Sequence, residues 1–140
     1  MKLKELSPAE NLFMQFCQAY KARDLKAVLS LLTKNINMWG SGLDECRSGL
    51  KEAEIQFKRD WSQSEKAAIE VLSFVPTDQN ALWAAALCKA RLRINGQDHV
   101  VENLRGTLVI EKEDGQWKIA HMHASFPDER NSENSSFPVG

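Results

Sequence analysis

Two periodicities divide this chain: apolar residues recur at steps of three and four through its first part and alternate with polar ones through its second. Leu12, Phe13, Phe16, Cys17 and Tyr20 mark one buried stripe of a helix. Ser7-Pro8-Ala9-Glu10 opens it with a capping box, in which the serine oxygen and the glutamate carboxylate satisfy orphan amides and proline takes its favoured first position. Asp24 caps a short second helix with Leu25, Val28, Leu29 and Leu32 on its apolar face. Ile36 to Trp39 reads as a short strand ended by Gly40-Ser41-Gly42, with Glu45 to Arg47 as its returning partner. Ser48 caps a third helix, whose stripe is Leu50, Ala53, Phe57 and Trp61. The period then changes: Ala68 to Val75, Ala81 to Ile94, Val100 to Lys112 and Gln116 to Ser125 are strands, separated by Pro76 and a polar run, by Asn95-Gly96 and by Asp114-Gly115. Helices first and antiparallel strands after predict an α+β fold with the helices across one face of a curved sheet.

Register follows from the turns. Asp114-Gly115 fits a two-residue type I′ turn, since glycine adopts positive φ without steric cost. It pairs Glu113 with Gln116, and an uninterrupted ladder continues as Ile110 with Ile119, Leu108 with His121 and Gly106 with His123. A second such turn at Asn95-Gly96 pairs Trp83 with Leu108 and Ala85 with Gly106. Trp83, Leu108 and His121 then form one row. Trp83, Ala85, Leu87, Lys89, Arg91 and Arg93 share the face of the two histidines, which points into a cavity roofed by helices. A bulge in strands this long would flip part of the assignment.

Length and charge narrow the function. The 140 residues form one domain, taken as 1–127 with a mobile polar tail over 128–140. Eighteen basic against nineteen acidic residues give a net charge of −1, which leaves no electrostatic footprint for nucleic acid or an anionic membrane. The start, M-K-L-K-E-L-S-P-A-E, has no apolar run after its lysines, so it reads as neither secretion signal nor membrane anchor, and a cytoplasmic location is expected. Cys17, Cys46 and Cys88 are isolated and odd in number, as reduced thiols would be. No Ser-His-Asp set, Walker loop or dinucleotide glycine pattern is present.

The order of elements, Arg47-Ser48-Gly49 before a helix, and the ending D-G-Q-W-K-I-A-H-M-H-A-S resemble the nuclear transport factor 2-like superfamily. Its SnoaL-like branch, including the association domain of calcium/calmodulin-dependent kinase II, has a similar Asp-Gly-x-Trp…His-x-His-x-Ser ending. The layout extends from about Ser7 to Pro127, whereas only the final hairpin matches in specific letters. The resemblance implies a cone of three helices on a strongly bent, mainly antiparallel sheet, with a pocket inside and a homodimer or larger assembly. It also exposes departures. The first-helix tyrosine of the superfamily's ketosteroid isomerases falls near Phe16, and their general-base aspartate near Trp39 or Gly40, so that chemistry is not expected. A pocket arginine of the kinase association domain falls at Leu108, and its basic companion at Lys89 or Arg91.

Two functions are open at this point. The first is a self-associating domain that binds an unidentified small molecule, lined by Trp39, Trp61, Trp83, Lys89, Arg91, Leu108, His121 and His123. Its copies would meet through an outer sheet face of Ala84, Ala86, Ala90, Thr107 and Met122. The second is an isomerase, cyclase or dehydratase using His121 or His123 as general acid or base. Both imidazoles can instead satisfy core hydrogen bonds or a dimer contact, Phe57 and Met38 can be plain core, and the row Lys89, Arg91 and Arg93 can be a solvated face or a partner contact for Glu102 or Asp98. Spacing shows no third ligand for zinc or iron, so neither metal nor cofactor is expected.

Overall fold

A computed structural model describes residues 5–138. The four residues before them, part of the segment read as neither signal nor anchor, lie outside that description. The helices are α1 (Pro8–Ala22), α2 (Leu25–Ser30) and α3 (Gly49–Ser62). The strands are β1 (Leu32–Trp39), β2 (Cys46–Ser48), β3 (Lys66–Phe74), β4 (Trp83–Ile94), β5 (Gln97–Glu113) and β6 (Gln116–Ser125), forming one curved sheet in the order β2-β1-β6-β5-β4-β3. All neighbours are antiparallel except β1 and β6. This is the α+β cone the sequence predicts. No helix among the described residues is long and apolar enough to cross a membrane.

Local chemistry fixes the elements. Ser7 N–H donates to Glu10 Oε1 at 2.9 Å and Glu10 N–H to Ser7 Oγ at 3.1 Å, which completes the capping box. Asp24 accepts from Ala27 N–H at 3.0 Å and caps α2. Ser48 departs from expectation. It precedes α3, but its hydroxyl makes no cap bond and accepts from Asn37 Nδ2 at 3.2 Å, while its N–H donates to Glu52. The strand before it is also longer than Ile36 to Trp39, because Leu32 and Thr33 are buried and Leu31 O accepts from Ile119 N–H at 2.7 Å. Both hairpin turns have positive φ at each central residue, Asn95 and Gly96, Asp114 and Gly115. Glu65 clamps the first by accepting from Asn95 N–H at 3.1 Å and Gly96 N–H at 2.6 Å.

Bulges overturn the expected rows. Ile110 pairs with Ile119 as predicted, but Val109 then pairs with His121, Leu108 with Met122 and Thr107 with His123, because Ala120 is an extra residue in β6. A second irregularity, at Glu102–Asn103 in β5 with Asn103 at φ 62°, shifts β4 likewise, so Trp83 faces Val109 and Ala85 faces Thr107. The two shifts leave Trp83 and His121 on one face, as expected, and send Leu108 and Gly106 to the other. That other face is the one the helices cover: a Cβ built on Gly106 would lie 3.0 Å from the Phe13 ring of α1. The two-histidine face is therefore the outer one, and the inward placement of His121 and His123 is corrected. The same flip corrects the expected docking surface. Ala84, Ala86 and Ala90 are buried core residues, and Met122 packs against that core, whereas Thr107 does face outward.

Candidate functional site

Between the helices and the inner face of the sheet lies a cavity of about 450 Å³. Its apolar wall comes from α1 through Phe13, Phe16 and Cys17, from α3 through Phe57, and from the sheet through Met38, Leu108 and Met122, among others. Small inward residues create the room: Ala67, Cys88, Ala90, Gly106 and Ala124 stand where larger side chains would fill the cone. Burial pushes the Cys17 thiol up to about 12 and the Cys88 thiol to about 11. Both stay protonated near neutrality and act as apolar wall rather than nucleophiles.

A polar corner interrupts this wall. Tyr20, on the last turn of α1, donates its hydroxyl to Asp60 Oδ2 at 2.8 Å, and Gln56 Nε2 donates to Asp60 Oδ1 at 2.7 Å. Gln56 sits one turn before Asp60 on α3, so one helix face presents both. Gln56 Nε2 also reaches Glu45 Oε1 at 3.2 Å, and Arg47 Nε donates to Gln56 Oε1 at 3.0 Å. Arg59 pairs with Asp44 and with Glu45, at 2.8 and 3.4 Å, while Arg23 binds the Trp61 and Ser64 carbonyls. Asp60 has no cation within salt-bridge distance among the described residues. Burial first, and the Glu45 charge after it, raise its carboxyl above the ordinary range against the hydrogen bonds of Tyr20 and Gln56. Burial and Asp60 likewise raise the Tyr20 phenol.

Of the residues expected to line a pocket, Trp39, Leu108 and His123 border this cavity; Trp61, Trp83, Lys89, Arg91 and His121 do not. Lys89 pairs with Glu102 at 3.5 Å, Arg91 with Glu70 at 2.9 Å and Arg93 with Asp98 at 3.3 Å along the outer face, because β4 alternates without a break from Trp83 to Ile94. Trp61 packs on Phe57 and Tyr20 from behind the cavity wall. His121 Nδ1 lies 3.0 Å from Asn37 Oδ1, and the exposed His123 ring meets Trp39 edge-on at 5.5 Å. Trp39 also meets His121 at 5.9 Å. No group of three or more metal-ligating side chains occurs among the described residues.

Sequence reasoning missed Tyr20, Gln56 and Asp60 as site residues, reading Tyr20 only as core. A signal was present: Gln56 and Asp60 bracket Phe57 and lie beside the apolar stripe of the third helix, where a solvated face would place neither. Phe16 indeed has no hydrogen-bonding group, but one turn later Tyr20 supplies one to the same cavity.

A family model described as a SnoaL-like domain matches residues 9–129. No curated protein matches the chain. Among solved structures it is similar to a protein of Mycobacterium tuberculosis at 14% identity and a TM-score of 0.75, covering 91% of this chain and 96% of that one. The same protein, solved in complex with estradiol-17β-hemisuccinate, gives 14% identity and 0.72 over 88% and 96%. A ketosteroid isomerase-like protein from Erwinia carotovora atroseptica gives 19% identity and 0.67 over 89% and 97%. At these identities the likeness is one of fold.

Proposed function

Because this chain belongs to the SnoaL-like domain family within the nuclear transport factor 2-like superfamily, we propose that it is a self-associating, small-molecule-binding domain whose ligand occupies the cavity between helices and sheet. The observation that supports this most is an apolar cavity of about 450 Å³ with one polar corner, the size and make-up of a small-molecule site. The Mycobacterium tuberculosis relative in fold, solved with a steroid ester, agrees with a largely apolar ligand. Of the two histidines, His121 lies outside this site and His123 borders it. They stand with Trp39, Trp83 and Leu87 on the uncovered face of the sheet; Trp39 is 49% exposed and Trp83 41%. We assign that face to a second copy of the chain, meeting its own equivalent about a two-fold axis.

A second reading, an enzyme of isomerase, cyclase or dehydratase type, draws its proton-transfer group from Asp60 rather than from His121 or His123. A carboxyl raised by partial burial beside an apolar cavity keeps its proton to higher pH than a free carboxyl does, which suits proton exchange with a bound substrate. Native mass spectrometry of the purified protein, with uptake of the neutral dye Nile red, tests the binding proposal. Dimers or larger species that take up dye are expected. A monomer would remove self-association, and failure to take up dye would remove the cavity as a binding site.

A further inference from the structure

We infer that the cavity selects a lipophilic amine in its protonated form, with the ammonium held at Asp60 and the apolar remainder along the cavity wall. This rests on the cavity being the ligand site. Asp60 borders the cavity, accepts one hydrogen bond on each oxygen, and keeps lone pairs free for further donors. Of the nearby guanidinium groups, Arg59 is paired with Asp44 and Glu45, Arg23 with backbone carbonyls, and Arg47, which also borders the cavity, with the carbonyl end of Gln56 rather than with Asp60. Gln56 turns its amide donors to the two carboxylates, Glu45 and Asp60, so the guanidinium of Arg47 meets this relay at its far end. A partly buried carboxylate without a salt-bridge partner is costly, and a ligand cation removes that cost.

The aromatic rings make the same choice independently. Phe16, Tyr20 and Phe57 form a cluster with centroids 5.8 to 6.2 Å apart, and all three border the cavity beside Asp60. Ring faces attract a cation and disfavour an anion, and they do so most strongly where water is excluded. A carboxylate bonded to the Tyr20 hydroxyl, in a cavity that Phe16 and Phe57 also line, is complementary to an ammonium group. A neutral alcohol would gain only the hydrogen bond, and a carboxylate ligand would meet Asp60 and Glu45 as like charges.

Three naphthalene probes of matched shape test this on the full chain at neutral pH: 2-naphthylmethylamine, 2-naphthylmethanol and 2-naphthoate, each competed against Nile red. The amine is expected to bind at least about tenfold more tightly than the alcohol, and the carboxylate most weakly. Asp60→Asn is expected to abolish the difference between amine and alcohol, read by direct titration of each probe. Nile red binding with no preference for the amine in the unmodified chain overturns the inference and leaves the cavity reading intact; no binding by any probe removes both. If Asp60→Asn fails to fold, intermolecular NOEs in the unmodified chain decide. Contacts from the aminomethyl protons to the Tyr20 and Phe57 rings support the assignment. Contacts confined to Phe13, two turns earlier on α1, overturn it.

Discussion

The two faces of this sheet are built from the same strands and differ in almost everything else. Inward residues of β4 are small, Ala84, Ala86, Cys88 and Ala90, and all four are buried. Their outward neighbours are Trp83, Ala85, Leu87, Lys89 and Arg91, all large but Ala85, and Trp83, Leu87 and Arg91 are exposed. Small residues on the concave side and large ones on the convex side are what a bent sheet with a hollow requires, since bulk inside would fill the space the helices enclose. A residue's meaning here depends on its side. A tryptophan outside is an exposed apolar ring; a tyrosine inside is a hydrogen-bonded one.

Truncations matched across the sheet give the largest expected contrast. Phe57→Ala empties a site that is 2% exposed and packed on Phe16, Tyr20 and Trp61, and should cost about 3–5 kcal/mol in urea unfolding. Trp83→Ala on the outer face should cost far less in a dilute monomer and act instead on subunit number, read by sedimentation velocity. Equal losses would erase the distinction between faces. Neighbouring positions on β5 sharpen it: Gly106→Val drives a side chain into the Phe13 ring and should cost about 1–3 kcal/mol, whereas Thr107→Val, which points outward, should stay within about 0.5 kcal/mol.

The bulge at Ala120 explains how the sequence could disclose the fold and still misplace the site. Element order, both two-residue turns and the Glu113–Gln116 and Ile110–Ile119 pairs were legible, because they depend on local chemistry: positive φ at Asn95, Gly96, Asp114 and Gly115, and the Ser7–Glu10 box. A bulge has no such signature. Alanine is an ordinary strand residue, and what makes Ala120 an extra one is the demand that Met122 and Ala124 reach the core while Ile119 is already there. One unpaired residue then carried both histidines across the sheet. Asn103 was more legible in principle, since asparagine tolerates positive φ. Deleting Ala120 should therefore leave Ile119 inward and His121 outward, with normal alternation restored. The expected loss is about 1–2 kcal/mol, with the NMR contact between His121 and Asn37 retained. Its disappearance would show that the bulge sets more than register.

The smallest effect concerns pH and separates the two faces by sign. Asp60, inside, has its carboxyl raised chiefly by burial; Glu70, outside, has its carboxyl lowered by the hydrogen bond and charge of Arg91. A raised folded value means that the native state favours the protonated acid. The stabilising contribution of Asp60 is thus full below the ordinary carboxylate pKa and is lost as pH rises through the raised value. Glu70 works the other way: its contribution is present above the ordinary value and is lost as pH falls through the lowered one. The two windows lie on opposite sides of the ordinary carboxylate range. Asp60→Asn should accordingly flatten the decline in stability just above that range and leave the acid limb below it unchanged, while Glu70→Gln should do the reverse. Urea midpoints collected across mildly acidic pH check both, and a flattening of the same acid limb by both variants would mean that the hydrogen bonds of Tyr20 and Gln56 outweigh burial at Asp60.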